Sequence, residues 1–318
     1  MPQVETVRGP VDVDCLGTTL MHEHVFVLNE EVRQNYPADW DETVRVDDAI
    51  VKLMALAGSG CQTIADPTVL GLGRDIQRIR RVADGTELNI IVATGLYTYN
   101  ELPMYFRYRG PGSDGLDPLA TMFIGDITRG IADTGVKAAF LKCAIDDQGL
   151  TPGVERAMRA VCRAHAETGA PITVHTHPHS GSGRDVLRVL REEDADLTKV
   201  VLGHSGDSTD LEYLTELADA GCLLGMDRFG LDLITPFEQR VATVAALCER
   251  GYADRMVLSH DASCYIDWFP PEAVPRFAPN WHFEHMFADV LPALRERGVS
   301  QEQLDLMLVA NPRRYFTG

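Results

Sequence analysis

Gly17-Thr18-Thr19-Leu20-Met21-His22-Glu23-His24-Val25-Phe26 is the stretch on which the fold turns. It has strand character and ends in β-branched and aromatic residues. Along a strand, residues two apart share a side, so His22 and His24 face together while Glu23 faces away. Two imidazoles at one strand end make half of a transition-metal site. The bland alternative is a pair of hydrogen-bonded core histidines. The rest of the chain has to supply the completing ligands.

Working outward, eight short apolar runs alternate with longer amphipathic segments. The runs are Thr18–Phe26, Gln62–Ala65, Leu88–Thr94, Ala138–Cys143, Pro171–Thr176, Lys199–Gly203, Cys222–Met226 and Arg255–Ser259. Most are almost wholly apolar, as parallel strands buried on both faces should be. Between them, helical periodicity covers Asp47–Leu56, Arg74–Ala83, Asp117–Asp133, Val154–Glu167, Asp185–Glu192, Asp210–Ala220 and Glu238–Arg250. Several of these stop at a glycine, as helix ends do. A proline-rich loop, Phe269 to Pro275, then leads to two further helices at Trp281–Arg297 and Gln301–Val309. Strand and helix repeated eight times predict an α/β chain folded as one (β/α)8 TIM barrel over residues 1–318, with an open doubly wound sheet as the alternative.

Composition narrows the partners. The 29 basic and 47 acidic residues give a net charge of −18, which disfavours nucleic acid and anionic membrane. The one basic run, Arg74 to Arg81, has helical spacing and reads as a solvated helix face. Seven cysteines, an odd number with no Cys-x-x-Cys pair, fit a reducing compartment rather than a disulfide framework. The N-terminus lacks a signal-peptide pattern, and no apolar stretch approaches the ~20 residues of a membrane span. The expectation is a cytoplasmic protein.

Chemistry-bearing residues fall at the strand ends. His22 and His24 end the first strand, Lys142 the fourth, His175 the fifth, His204 the sixth and Asp261 the eighth. That end of a barrel is where active sites are built. Four imidazoles and a carboxylate suit Zn, Mn, Fe or Co better than Mg or Ca. A lysine among cations is costly, unless its amine carries CO2 as an anionic carbamate able to bridge two metals; the other choice is a salt bridge to Asp261 or Asp146. Two bridged metals form a hydrolytic template. His177 and His179 read as loop residues near the site, and His165, His282 and His285 as structural.

Competing motifs fail. Gly71-Leu72-Gly73 lacks the third glycine of a dinucleotide loop, and Gly203-His204-Ser205-Gly206-Asp207 lacks the last glycine of a nucleophile elbow.

In their order and placement, His22-Glu23-His24, Lys142, His175, Gly203-His204 and His260-Asp261 resemble the phosphotriesterase-like branch of the amidohydrolase superfamily. Gly95-Leu96-Tyr97-Thr98-Tyr99, Met226 to Asp232 and Cys264 to Trp268 are most similar to its lactonases. The resemblance implies that His22, His24 and Asp261 bind a buried metal and that His175 and His204 bind a more exposed one. N6-carboxylated Lys142 and a hydroxide would bridge the two. It names Zn first, with Fe, Co or Mn as alternatives. Tyr97 and Arg228 would orient substrate, with Tyr99 beside them and Trp268 lining an acyl pocket; Phe269, Val274 and Phe277 of the late loop suit the same apolar tail, and Asp261 would move the proton. Asp207 and His260 would lie just outside the ligands. Arg228 stands where dedicated phosphotriesterases carry a relay histidine. The implied activity is hydrolysis of lactones, N-acyl homoserine lactones first (quorum quenching), with organophosphate (paraoxon) cleavage as a side reaction, in a homodimer. The alternatives are a dedicated phosphotriesterase, a cyclic amidohydrolase and, last, a non-catalytic metal-binding barrel.

Overall fold

The computed structural model describes residues 2–37, 40–110 and 115–317. In chain order the strands are β1 (Gln3–Thr6), β2 (Gly9–Asp12), β3 (Thr19–Leu20), β4 (His24–Val27), β5 (Thr63–Asp66) and β6 (Asn89–Gly95). There follow β7 (Phe140–Ala144), β8 (Ile172–His175), β9 (Val200–Gly203), β10 (Leu223–Met226), β11 (Met256–Leu258) and β12 (Ser263–Ile266). Eight of these form one parallel sheet in the order β3-β5-β6-β7-β8-β9-β10-β11, each strand beside its sequence neighbour. Helices such as Glu42–Gly58, Pro152–Thr168 and Phe237–Glu249 fill the connections. This is the barrel the strand–helix alternation predicts.

The helices begin where the sequence offers a cap. Asp41, Asp75, Asp117, Thr151 and Asp210 each accept a first-turn N–H through the side chain, a contribution of about 1 kcal/mol apiece. Pro118 and Pro152 occupy the first helical positions, where a missing N–H costs nothing.

Parity along the strands sorts the core into two layers. Ile64, Ile90, Val92, Leu141, Cys143, Ile172, Val174, Leu202, Leu224 and Met256 face the helices. Ala65, Ile91, Ala93, Phe140, Val201, Leu223 and Val257 fill the barrel interior. Residues two further on share that inward direction, so Lys142 stands one pleat above Phe140, and His175 one above Thr173. At the strand-start end, Val4 of the β1–β2 hairpin and Tyr315 of the last helix plug the interior, Tyr315 Oη lying 2.8 Å from Thr173 Oγ1.

The ring is joined last between β11 and β3, which share no ladder. There the Met21 N–H reaches Leu258 O at 3.4 Å, the Asp261 N–H donates to His22 O at 2.9 Å and the His24 N–H to Ala262 O at 2.8 Å. Above this seam β4 pairs in parallel with β12.

Several expectations are corrected. The first strand is broken at Met21–Glu23 into β3 and β4. The helix expected to run to Asp133 ends at Thr128, and the one expected from Trp281 becomes continuous only at Met286, through a wide i→i+5 turn. The basic run is not a solvated face. Arg78 is 2% exposed and pairs with Glu30 and Glu42, Arg74 pairs with Asp126, and only Arg80 and Arg81 reach solvent. Burial there follows from carboxylates far along the chain. Among the described residues, no helix is long and apolar enough to cross a membrane, and the seven cysteines are free thiols.

Phe140 has no exposed surface and sits beneath the site, its ring 6.1 Å from that of Phe316. Phe140→Ala is expected to destabilise the fold by about 3–5 kcal/mol, read from urea unfolding.

Candidate metal centre

The inward strand ends bring all six predicted ligands to one mouth. His22 Nε2 and His24 Nε2 lie 3.4 and 3.2 Å from Asp261 Oδ1, a triad whose ligand atoms converge closely enough to share one cation. His175 Nδ1 and His204 Nε2 meet at 2.8 Å and form a second converging pair. Between the two groups Lys142 Nζ lies 3.3 Å from His22 Nε2, buried at 1% exposure. Among the described residues it makes no salt bridge to Asp261 or Asp146; Asp146 is engaged by His175 instead.

Each histidine is tethered through its other nitrogen. Asp227 holds His22 Nδ1 with one oxygen and His204 Nδ1 with the other, both at 2.8 Å. His24 Nδ1 lies 2.7 Å from Thr68 Oγ1, whose hydroxyl donates to Asp66. His175 Nε2 meets Asp146 Oδ2 at 2.7 Å. With the outward nitrogen donating, His22, His175 and His204 each turn one bare lone pair inward, and His24 would do so on giving up its inner proton, the arrangement that supports metal ligation. The donor set therefore fits a pair of divalent metals.

Electrostatics agree. Burial, with Lys142 adjacent, lowers the pKa of His22. Burial followed by Arg228 holds His204 well below its usual value, and burial outweighs Asp146 to bring His175 to about 4. These three are bare imidazoles at neutral pH. His24 is the exception: burial acts downward, but Asp261 and Asp66 outweigh it and raise it to about 9, so positive charge is favoured between His24 and Asp261. Burial alone would raise Asp261, yet the facing His22 and His204, the hydrogen bond from His24 and the Arg228 guanidinium together hold it well below the carboxylate range. Burial lowers Lys142 to about 8.

His204, Arg228 and Asp261 all have positive φ, at 64°, 68° and 57°. Three non-glycine residues in that region, each at a strand end, are held there by their surroundings. Arg228 is clamped: its Nε donates to Asp261 Oδ2 at 3.0 Å and its Nη1 to Asp207 Oδ2 at 2.9 Å. Asp207 Oδ1 in turn accepts from the buried Arg240 at 2.6 Å.

A cavity of about 220 Å³ opens over the centre. Tyr97 and Tyr99 touch through their hydroxyls on one wall, each 3.4 Å from a His175 nitrogen. Burial raises the pKa of both, so both remain phenols. Trp268, Phe269 and Phe277 form an apolar rim with Leu231 and Leu233. Val274, expected with them, lines a different cavity beside Lys52 and Tyr265. His177 and His179 pack against each other outside this cavity. His165 is structural, its ring bonding Ala170 O and the Asp196 N–H, and His285 pairs with Asp289.

Residues 2–316 match the family model described as the phosphotriesterase family. The chain belongs to that family. It is 59% identical to a phosphotriesterase homology protein of Mycobacterium tuberculosis (strain ATCC 25618 / H37Rv), over 99% of this chain and 98% of that protein. It is 39% identical to an aryldialkylphosphatase of Saccharolobus solfataricus (strain ATCC 35092 / DSM 1617 / JCM 11322 / P2), over 98% of both. The solved structure of the phosphotriesterase from Mycobacterium tuberculosis superposes with a TM-score of 0.97 at 58% identity, over 99% of this chain and 98% of that one. The protein is a phosphotriesterase-family hydrolase, of a family that depends on two metals.

Asp227 had no role assigned from sequence, although it follows a strand end as Asp261 does; the same placement rule would have found it. Because it touches one histidine of each converging group, Asp227→Asn is expected to weaken loading at both positions, about 10–100-fold. Zinc content after dialysis against graded chelator measures this.

Proposed function

We propose that the protein is a metal-dependent lactonase that opens N-acyl homoserine lactones and cleaves neutral phosphotriesters such as paraoxon more slowly. The observation that carries this is Arg228, held between Asp261 and Asp207. Guanidinium does not deprotonate, so no proton passes from Asp261 outward through residue 228. A lactone does not need that route. Its leaving alkoxide stays tethered to the product beside the site, and a proton held on Asp261 can be returned to it. An aryl phosphotriester releases a free phenolate and gains nothing from a retained proton.

His22, His24, Asp261, His175 and His204, with N6-carboxylated Lys142 between them, would hold two metals, Zn first. Such a pair supplies an acidified water and polarises an ester carbonyl. The protein's own groups do the rest. Tyr97, kept as a phenol by burial, donates to the carbonyl oxygen as it gains charge. Asp261, ionised at neutral pH, takes the proton of the attacking water. Arg228 fixes the orientation of Asp261. Trp268, Phe269 and Phe277 exclude water and take the acyl tail.

A pH-indicator assay with an N-acyl homoserine lactone, a δ-lactone and paraoxon tests the reading. Lactone turnover well above paraoxon, abolished by chelator, is expected; paraoxon first would make this a phosphotriesterase, with Arg228 no guide to substrate. Asp261→Asn should keep the fold and lose about 10²–10⁴ of kcat, and an unchanged kcat would remove Asp261 from proton transfer.

A homodimer is part of the proposal. Val44, Val51 and Met54 lie exposed on one face of helix Glu42–Gly58. An apolar patch of this kind suits a second copy. Val51→Glu should shift sedimentation from dimer to monomer; a dimer that persists places the interface elsewhere.

A further inference from the structure

Glu23 lies between two of the ligand histidines, yet its carboxylate turns away from the centre and is fully buried. A buried carboxylate is costly unless donors surround it. Four do, and all come from residues 259–262. Oε1 accepts from Ser259 Oγ at 2.8 Å, from the His260 backbone N–H at 2.9 Å and from His260 Nδ1 at 2.6 Å. Oε2 accepts from the Ala262 N–H at 3.1 Å. The Met286 N–H donates to His260 Nε2 at 2.9 Å, which places the ring proton on Nδ1, toward Glu23. Ser259 Oγ also accepts the His22 N–H at 2.8 Å. The Trp281 indole N–H holds His260 O from the far side at 3.0 Å.

Inside this web sits Asp261, at φ 57°. A non-glycine residue keeps a left-handed conformation only where its flanks are fixed. Its flanks here, 259, 260 and 262, all bond to one carboxylate. The web spans the seam between β11 and β3, where no ladder joins the sheet.

We infer that Glu23 is a positioning residue that sets Asp261 against His22 and His24, locking three inner groups of the centre into one unit across the barrel seam. The inference rests on the role proposed for Asp261 and not on the identity of the substrate.

A double-mutant cycle with Glu23→Gln and Asp261→Asn tests it, read in Co(II) affinity by competition with a chelator and in kcat and KM. Gln keeps the shape but turns an amide NH2 toward a donor. Alone, Glu23→Gln should weaken cobalt binding and lower kcat about 10–100-fold, with KM within about twofold. On the Asp261→Asn background it should cost less than about threefold more, because it acts through the residue already removed. Losses that multiply across the cycle would make Glu23 a structural residue only and overturn the inference. If Glu23→Gln does not fold, Ser259→Ala takes its place: it deletes one donor, and the same non-additivity is expected at smaller amplitude, with multiplying losses again decisive. The cobalt arm uses no substrate, so a protein inactive on lactones but non-additive in cobalt binding defeats the lactonase proposal and leaves this one standing.

Discussion

The mouth of this barrel depends on where the hydrogens of four buried imidazoles sit. A histidine ligates through a bare lone pair, so its other nitrogen must carry the proton and give it to something. Asp227, Asp146 and the Thr68–Asp66 pair are those acceptors. Asp227 matters most because its two oxygens serve two rings on different strands. One carboxylate therefore sets two ring orientations at once. It also accepts the His204 backbone N–H at 2.8 Å, which steadies that residue at its positive φ.

Backbone strain follows from the same requirement. Lys142 and His175 reach the centre from inward positions within β7 and β8, but His204, Arg228 and Asp261 lie beyond the ends of their strands. A left-handed residue at the strand end swings the side chain over the opening. His204, Arg228 and Asp261 all do this. Each costs about 1–2 kcal/mol for an L-residue, and each is over-determined by partners: Asp227 for His204, Asp207 and Asp261 for Arg228, the bonded flanks for Asp261. Arg240 extends the arrangement outward, since it is buried and binds Asp207 together with the Gly206, Asp227 and Thr235 carbonyls.

What was legible in the sequence divides along the same line. Strand parity and strand ends are local patterns, so the barrel and the convergence of His22, His24, Lys142, His175, His204 and Asp261 could be read directly. The supporting acceptors are not local. Asp227 and His22 are 205 residues apart and meet only because β10 and the first strand share a ring. The basic run departs from a solvated face for that reason too: its helical periodicity is correct, but Glu30 and Glu42 decide which arginines are buried. Val274 shares the apolar character of its loop neighbours, but the short helix Val274–Phe277 turns it toward another cavity. The β1–β2 hairpin, two strands of four residues about a Val7-Arg8 turn, carries too little pattern to be seen.

Charge links the site to the proposed substrate. The chain carries −18 overall, so an anionic substrate would approach against the long-range field, and the arginines nearest the cavity do little to invite one. Arg228 is neutralised by Asp261 and Asp207, and Arg240 is buried against Asp207. A neutral ester meets no such barrier and enters on its apolar surface. Ring opening then creates a carboxylate inside a strongly negative protein, and the field that was indifferent to the substrate favours departure of the product. A neutral phosphotriester giving an anionic diester obeys the same rule. For the lactonase proposed above, the long-range field would favour neutral over charged esters, while choice between the two neutral classes would fall to the proton route, which Arg228 would close beyond Asp261.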